Sequence, residues 1–353
     1  MIDGPRVGAL ESGPRNSIAD VAGVLVGHIT LANGPTQTGV TVIRPHSGDA
    51  YRHPVAAAAV VINGFGKTTG LLQLNELGVL ESPIALTNTF AVGTIYTAML
   101  KHAVRTNPAI GRTAPTFNPV VAECNDGWLN DLHAFAIDED HYVRAFEAAD
   151  ADFDQGAIGA GRGMSCFGLK GGIGSASRLA GHAPHRFVVG ALVLANFGRL
   201  PHLTLMGVPV GGRIAPADAA HPVRDDGSII VVTATDAPLD HRQLRRLATR
   251  ASAGIARTGS NFGHGSGDIV VAFAAGEPRR AEAKIGGTAS GGLPDAALDP
   301  LFDAVAEATE QAIVNALFAA ETVAGYAGHV RHAIREHMPD WRAVLNEASP
   351  RTR

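Results

Sequence analysis

Residues 54–62 read PVAAAAVVI, and this run limits the fold more than any other stretch of the chain. It is strand-like, bounded by proline, and has no polar side chain to alternate toward water. Such a strand is covered on both faces. It is too short to span a bilayer, which takes about 20 apolar residues in a helix. Residues 24–30, 39–44, 83–88, 119–124, 188–196 and 227–239 also read as strands, with β-branched residues between glycine or proline bounds. Helical spacing appears over 70–77, 92–105 and 240–257, the last with Asp240 as N-cap. A long helix is expected over 301–324, with Leu301, Phe302, Val305, Thr309, Ala312, Ile313, Ala316 and Leu317 on one stripe. Strands that need two covers, together with amphipathic helices, predict an α/β (α+β) fold of sheets sandwiched by helices. No repeat or linker divides the chain, which reads as one domain. Residues 199–226 read as a surface excursion, and the tail after Ala324 as one peripheral helix.

Composition narrows the function. Of 353 residues 18% are charged, the net charge is -4, and the basic residues are not pooled. A nucleic-acid partner would call for a basic face, so none is expected. The 42 glycines lack a collagen period and separate apolar segments, which marks turns and close backbone approaches. The opening MIDGPRVGAL has no apolar core of a signal peptide. A soluble, cytoplasmic protein without membrane attachment is the expectation. Cys124 and Cys166 have no CxxC spacing and read as small buried filler.

Several motifs fail on inspection. GKTTG at 66–70 lacks the upstream glycine of a phosphate loop, because position 61 is Val. GAGRGM at 159–164 ends in Met164 where a dinucleotide fingerprint needs glycine. Ser266 lies between Gly265 and Gly267, but His264 and Asp268 occupy the outer positions of a GxSxG elbow. A serine hydroxyl still needs a base. If the Gly265–Ser266 bond is cut, the new α-amine, with a pKa of about 7.7–8.0, can serve. The flanking glycines permit the strained backbone such a cut needs, and the apolar run 269–273 would anchor the new terminus. The plain alternative is a turn that starts a strand.

A wider set of segments carries a resemblance. NSIADVAGVLVGHITL, TGVTVIRP, VVAECNDGWLNDL, GAIGAGRGMSCFGLKGGIGSAS, VVGALVLANFGR, GSIIVVTATDAPLDHRQLRRLA, ARTGSNFGHGSGDIVVAF and LFDAVAEATEQAIVNALFAAETVAG occur in this order. Together they resemble the self-processing L-aminopeptidase/D-esterase and β-peptidyl aminopeptidase family over nearly the whole chain. The resemblance implies a four-layer α-β-β-α sandwich, like the N-terminal nucleophile hydrolases but distinct in topology. It also implies self-cleavage into residues 1–265 and 266–353, and removal of N-terminal residues from short peptides, amides or esters. The cleaved pairs are expected to form a homo-oligomer, a tetramer, and no metal or organic cofactor is implied.

Carried over by position, Ser266 matches the nucleophile and Gly265–Ser266 the scissile bond. Asn196 matches the oxyanion-hole amide, and Glu123 the carboxylate that holds the substrate's free amino group. Lys170 falls where related amidases place a lysine near the active site. Relatives carry a Ser-x-acid or Asp-x-Asp pair on the last long helix that orients the nucleophile's amine. Here the aligned pair is Val305 and Glu307, so Glu307 alone can serve, with Glu310 next. Trp128 stands where many relatives have tyrosine, which predicts a bulkier pocket. The rival readings are an acyltransferase of the ornithine acetyltransferase type, which uses a threonine nucleophile, and an unprocessed binding protein with the same fold.

Overall fold

The computed structural model describes residues 2–182, 185–214, 227–275 and 293–348. The chain opens with a hairpin, β1 (Leu25–Asn33) and β2 (Thr36–Arg44), and crosses to β3 (Val55–Gly64). After α1 (Leu71–Leu77) come β4 (Val79–Leu80), β5 (Ile84–Asn88), α2 (Val92–Thr106), β6 (Val120–Cys124) and α3 (Glu139–Glu147). A short hairpin, β7 (Ser165–Cys166) and β8 (Leu169–Lys170), leads into the long strands β9 (Gly172–His182) and β10 (His185–Asn196). A second short hairpin, β11 (Thr204–Leu205) and β12 (Val208–Pro209), precedes β13 (Ser228–Thr235), α4 (His241–Arg257) and β14 (Gly267–Ala274). The long helix α5 (Asp299–Ala319) and the short helices α6 (Ile334–His337) and α7 (Trp341–Ala348) follow.

Two sheets stack face to face. One has the order β1-β2-β5-β6 and the other β4-β3-β14-β13-β10-β9. In β3, Ala57 and Ala59 face the other sheet while Ala56 and Ala58 face the helices, so residues 55–59 are covered from both sides, whereas the expected two-sided burial fails beyond them, where Val61 is exposed. Between the sheets, Leu192, Leu194, Ile230, Val232, Ile269 and Val271 pack on Ile43, Ile84, Leu86 and Ala122. Helices α4 and α5 cover the outer face of the six-stranded sheet, and α2 and α3 cover the four-stranded one. This is the expected four-layer α-β-β-α arrangement. Asp240 caps α4 as predicted, with Gln243 N donating to Oδ1 at 2.8 Å. Cys124 and Cys166 are free and buried, as predicted. Among the described residues no helix is long and apolar enough to cross a membrane.

The structure departs from the sequence expectation in places. The glycine-rich stretch hides an eleven-residue strand, β9, because its small side chains let α5 lie almost against the backbone. A Cβ on Gly174 would stand 1.9 Å from the Ala312 carbonyl oxygen. The expected surface excursion at 199–226 is in its first half pinned to the core, where Leu203, Leu205 and Val210 pack under α4 and α5 while Arg199, Met206 and Arg213 stay exposed. Residues 215–226 lie outside the described residues. The last long helix ends at Ala319 rather than 324, and α3 had no sequence expectation at all. The tail carries two short helices instead of one.

Gly174→Ala tests the close contact between β9 and α5. Overpacking costs about 1–3 kcal/mol, so chemical denaturation of this variant should show a loss of at least that size. A surface glycine with open space, Gly93, should tolerate the same change within about 1 kcal/mol.

Candidate active site

One end of the six-stranded sheet collects the candidate residues. Strands β13 and β14 run parallel, joined through α4, so both begin at the same end with Ser228 opposite Gly267. Strand β10 is antiparallel to β13 and finishes there, with Asn196 opposite Ser228. Two strand spacings, about 10 Å, therefore separate Asn196 from Gly267. Strand β3 also ends at this level, with Gly64 opposite Gly267.

Ser266 is the last residue before β14 and is buried. Its N–H donates to the Gly263 carbonyl at 2.9 Å, closing a tight turn around Gly265. Its Oγ donates to Asp268 Oδ1 at 2.6 Å. The Asn63 amide lies within bonding reach of the carbonyls of Gly263, His264 and Ser266. Gly267 N–H donates to Ser228 Oγ at 3.1 Å. The glycines act differently from expectation. Neither Gly265 nor Gly267 has a left-handed φ; in this loop Gly259 and Phe262 do. Gly267 is needed for space, since a Cβ there would sit 2.6 Å from the Phe65 carbonyl oxygen.

Asn196 has a fixed orientation. Its Oδ1 accepts the Ser165 N–H at 2.8 Å, so the amide nitrogen faces the other way. Nδ2 gives one N–H to the Asn125 carbonyl at 3.0 Å, and its second N–H meets no acceptor among the described residues. Ser165 belongs to the small hairpin β7–β8, and Lys170 ends that hairpin. Lys170 is fully buried, and its Nζ donates to the carbonyls of Gly161, Met164 and Gly171 at 2.8–2.9 Å. Three acceptors call for the three donors of an ammonium. Burial pulls the Lys170 pKa well down, and the nearby Arg162 charge adds to that pull. The predicted catalytic role of Lys170 is thus corrected. All its donors are engaged by backbone, and it clamps the glycine-rich segment behind Asn196 instead of contacting Ser266.

Glu123, Cys124 and Asn125 cross over this end of the sheet. Cys124 Sγ lies 3.6 Å from the Leu194 carbonyl oxygen and 3.4 Å from that of Ser228. Asn125 receives Asn196, as above. Glu123 Oε1 accepts the Lys67 N–H at 3.0 Å, while Oε2 takes no donor among the described residues. A side chain starting at Gly66 would lie 3.4 Å from Glu123 Oε1 and 4.0 Å from Gly267 Cα. Ser266, Asn196 and Glu123 therefore lie at the same end of the sheets.

Trp128 is also nearby, but it is packed rather than projecting alone. Its ring stacks on His329 at 3.9 Å, and the Arg331 guanidinium lies 4.3 Å from its centre. Arg331 Nε donates to Ser165 Oγ at 3.1 Å, which ties this stack to the hairpin that orients Asn196. Asp126 is fully buried beside these residues and accepts Asn130 Nδ2 at 3.0 Å. Burial pushes its carboxyl pKa up to about 7, against the hydrogen bonds of Thr38 and Asn130.

Glu307 requires a correction. It pairs with Arg178 at 3.1 Å and accepts the N–H groups of Ala9 and Leu10 at 3.0 Å. Arg178 lies opposite Val189, which lies opposite Thr235, which lies opposite Ala274. That is the far end of the sheet from Ser266, so Glu307 ties down the N-terminal segment and cannot orient the Ser266 amine. Val305 is a fully buried core residue, so its lack of polarity removes nothing from the site. Glu310 pairs with Arg257 at 3.5 Å. Asp268 had no sequence assignment. The available signal was its spacing, because residues i and i+2 on extended backbone share a face.

Comparison with known proteins places the chain in a family. The family model described as peptidase family S58 matches residues 16–331. The chain is 38% identical to the beta-peptidyl aminopeptidase BapA of Sphingosinicella microcystinivorans, covering 98% of this chain and 93% of that protein. Among solved structures, a protein from Pyrococcus horikoshii OT3 superposes with a TM-score of 0.88 at 46% identity, covering 96% of this chain and 97% of that one. The L-aminopeptidase D-Ala-esterase/amidase from Ochrobactrum anthropi superposes with a TM-score of 0.87 at 35% identity, covering 98% and 96%. That enzyme is described as a prototype for the serine aminopeptidases and a new variant among the Ntn hydrolase fold. The chain belongs to peptidase family S58, and its fold is a variant of the Ntn hydrolase fold.

Asp126 makes stability depend on pH. Between 3.8 and about 7 the folded protein keeps a proton that the unfolded chain has released. Stability therefore falls as pH rises through that window, by up to about 1.4 kcal/mol per unit, and levels off above it. Asp126→Asn should flatten that slope, read as the difference between urea unfolding at pH 5 and at pH 7.5.

Proposed function

We propose that the chain is a self-processing serine aminopeptidase with an N-terminal nucleophile. Cutting Gly265–Ser266 gives residues 1–265 and 266–353 and frees the Ser266 α-amine. The observation that carries the reading is the meeting of Ser266, Asn196 and Glu123 at one sheet end, each supplied by a different strand or strand terminus. The substrates are short peptides, amino-acid amides or esters with a free amino end. This class accords with the printed activities of the relatives, a beta-peptidyl aminopeptidase and an L-aminopeptidase D-Ala-esterase/amidase.

In this reading the α-amine takes the Ser266 Oγ proton as Oγ attacks the carbonyl after the substrate's first residue. Negative charge develops on that carbonyl oxygen. The second N–H of Asn196 Nδ2 meets it, an interaction worth about 2.7–4 kcal/mol in such sites. Ser165 N–H and the Lys170 clamp keep the amide facing the right way. Glu123 Oε2 receives the substrate ammonium, while Oε1 stays tied to Lys67. The amine of the leaving group departs with the proton, and water then releases the acyl group as an acid.

Two measurements test this. Intact mass of the purified wild type should give two fragments split before Ser266, and Ser266→Ala should give one chain of 36.5 kDa. A wild type that stays whole under all conditions overturns the proposal. Glu123→Gln should raise KM for substrates with free amino ends by about tenfold or more, because a charge-assisted bond is lost. Esters with a blocked amine should change far less, and equal losses on both would remove the assigned role.

A further inference from the structure

The base invoked for the mature enzyme does not exist before the cut. Until Gly265–Ser266 breaks, the Ser266 nitrogen is an amide whose N–H is given to the Gly263 carbonyl at 2.9 Å. An amide nitrogen has no free electron pair to accept a proton. Self-cleavage therefore needs a second base within reach of Oγ. His264 is exposed, and among the described residues no hydrogen bond joins Glu123 to Ser266 Oγ. Asp268 Oδ1 stands 2.6 Å from Ser266 Oγ, on a fully buried side chain that accepts the hydroxyl proton's hydrogen bond.

We infer that Asp268 is the general base of the first self-cleavage, a catalytic residue of the precursor that hands over to the Ser266 amine once the bond is cut. This rests on the self-processing proposed above. The Ser266 Oγ proton passes to Asp268 Oδ1 as Oγ bonds to the Gly265 carbonyl carbon. The carbon–nitrogen bond between Gly265 and Ser266 then breaks, and Asp268 returns the proton to the departing nitrogen. The products are an ester between Gly265 and Ser266 Oγ and a free α-amine. Water hydrolyses the ester, leaving a Gly265 carboxylate and restoring the hydroxyl.

The surroundings fit this division of labour. Asn63 reaches the carbonyls of Gly263, His264 and Ser266, so it grips the turn on both sides of the scissile carbonyl without taking that carbonyl itself. Gly267 N–H to Ser228 Oγ, and the tight fit of Gly267 against Phe65, hold the residue between serine and carboxylate in place. Asp268 also sits on β14 between β3 and β13, so its backbone is fixed before and after the cut.

The test is the rate at which freshly made chain splits, followed by intact mass. General-base catalysis contributes about 10²–10⁴-fold. Asp268→Asn should therefore slow splitting at least about 100-fold while thermal unfolding remains cooperative. Asp268→Ser serves in its place if the asparagine variant does not melt cooperatively. A purely structural role is separated by repeating the change on Ser266→Cys, whose thiol, with a pKa of about 8.5, depends less on a base. The loss from Asp268→Asn should be at least tenfold smaller in that background, and equal losses overturn the inference. Splitting within threefold of wild type in Asp268→Asn, with Ser266→Ala whole, overturns the inference alone. A wild type that never splits overturns the self-processing reading itself.

Discussion

The parallel pairing of β13 with β14 is the constraint on which the site depends. Adjacent parallel strands require a crossover, here α4, and both must start at the same sheet end. That places Ser228 beside Gly267 and, through the antiparallel β10, Asn196 on the same line. An antiparallel β14 would put Ser266 at the end where Arg178 and Glu307 lie. The helices that cover this sheet are therefore part of the site's geometry, because α4 is both a core layer and the connection that sets strand direction. The parallel pair β5 and β6, joined through α2, does the same for Glu123 in the second sheet. The two sheets meet where Cys124 touches the carbonyl groups at the ends of β10 and β13.

A second constraint is polar and buried. The glycine-rich segment before β9 is anchored in the core by Met164, Phe167 and Leu169, and the Lys170 ammonium gathers three of its carbonyls. Burying a charge is costly unless it is fully hydrogen-bonded, and this one is. The small hairpin so held supplies the Ser165 N–H that orients Asn196. Rigid placement of a donor aimed at developing charge is what gives such donors their effect.

Much of this was legible in the sequence because it is written in apolar period and in glycine. The both-face burial of residues 55–59, the strands around them, α2, α4 and the Asp240 cap follow from local patterns. Strand β9 was not legible, since GIGSASRLAGH has few β-branched residues and becomes a strand through α5 lying against Gly174. Leu203, Leu205 and Val210 sit among prolines, arginines and histidines, so their burial is a tertiary fact. Ser266, Asn196 and Glu123 were assigned from the resemblance, and the register shows why three distant segments coincide. Glu307 was misplaced because it was carried over by alignment of the resemblance along α5, which does not tell which end of the sheet each turn reaches. Lys170 was drawn into the chemistry because sequence cannot tell a buried ammonium that faces substrate from one that faces carbonyls.

The position of β14 has a consequence for the protein as an object. This strand lies inside the six-stranded sheet, hydrogen-bonded on one edge to β3 and on the other to β13, and α5 covers β9 and β10. The two pieces that the proposed cut before Ser266 would leave are thus woven through each other rather than docked surface to surface. Separating them means dismantling the central sheet, so dissociation and unfolding become one event with one barrier. Rebuilding the enzyme from separated pieces becomes a second-order reaction, in which chain concentration replaces the covalent link that guided the first folding.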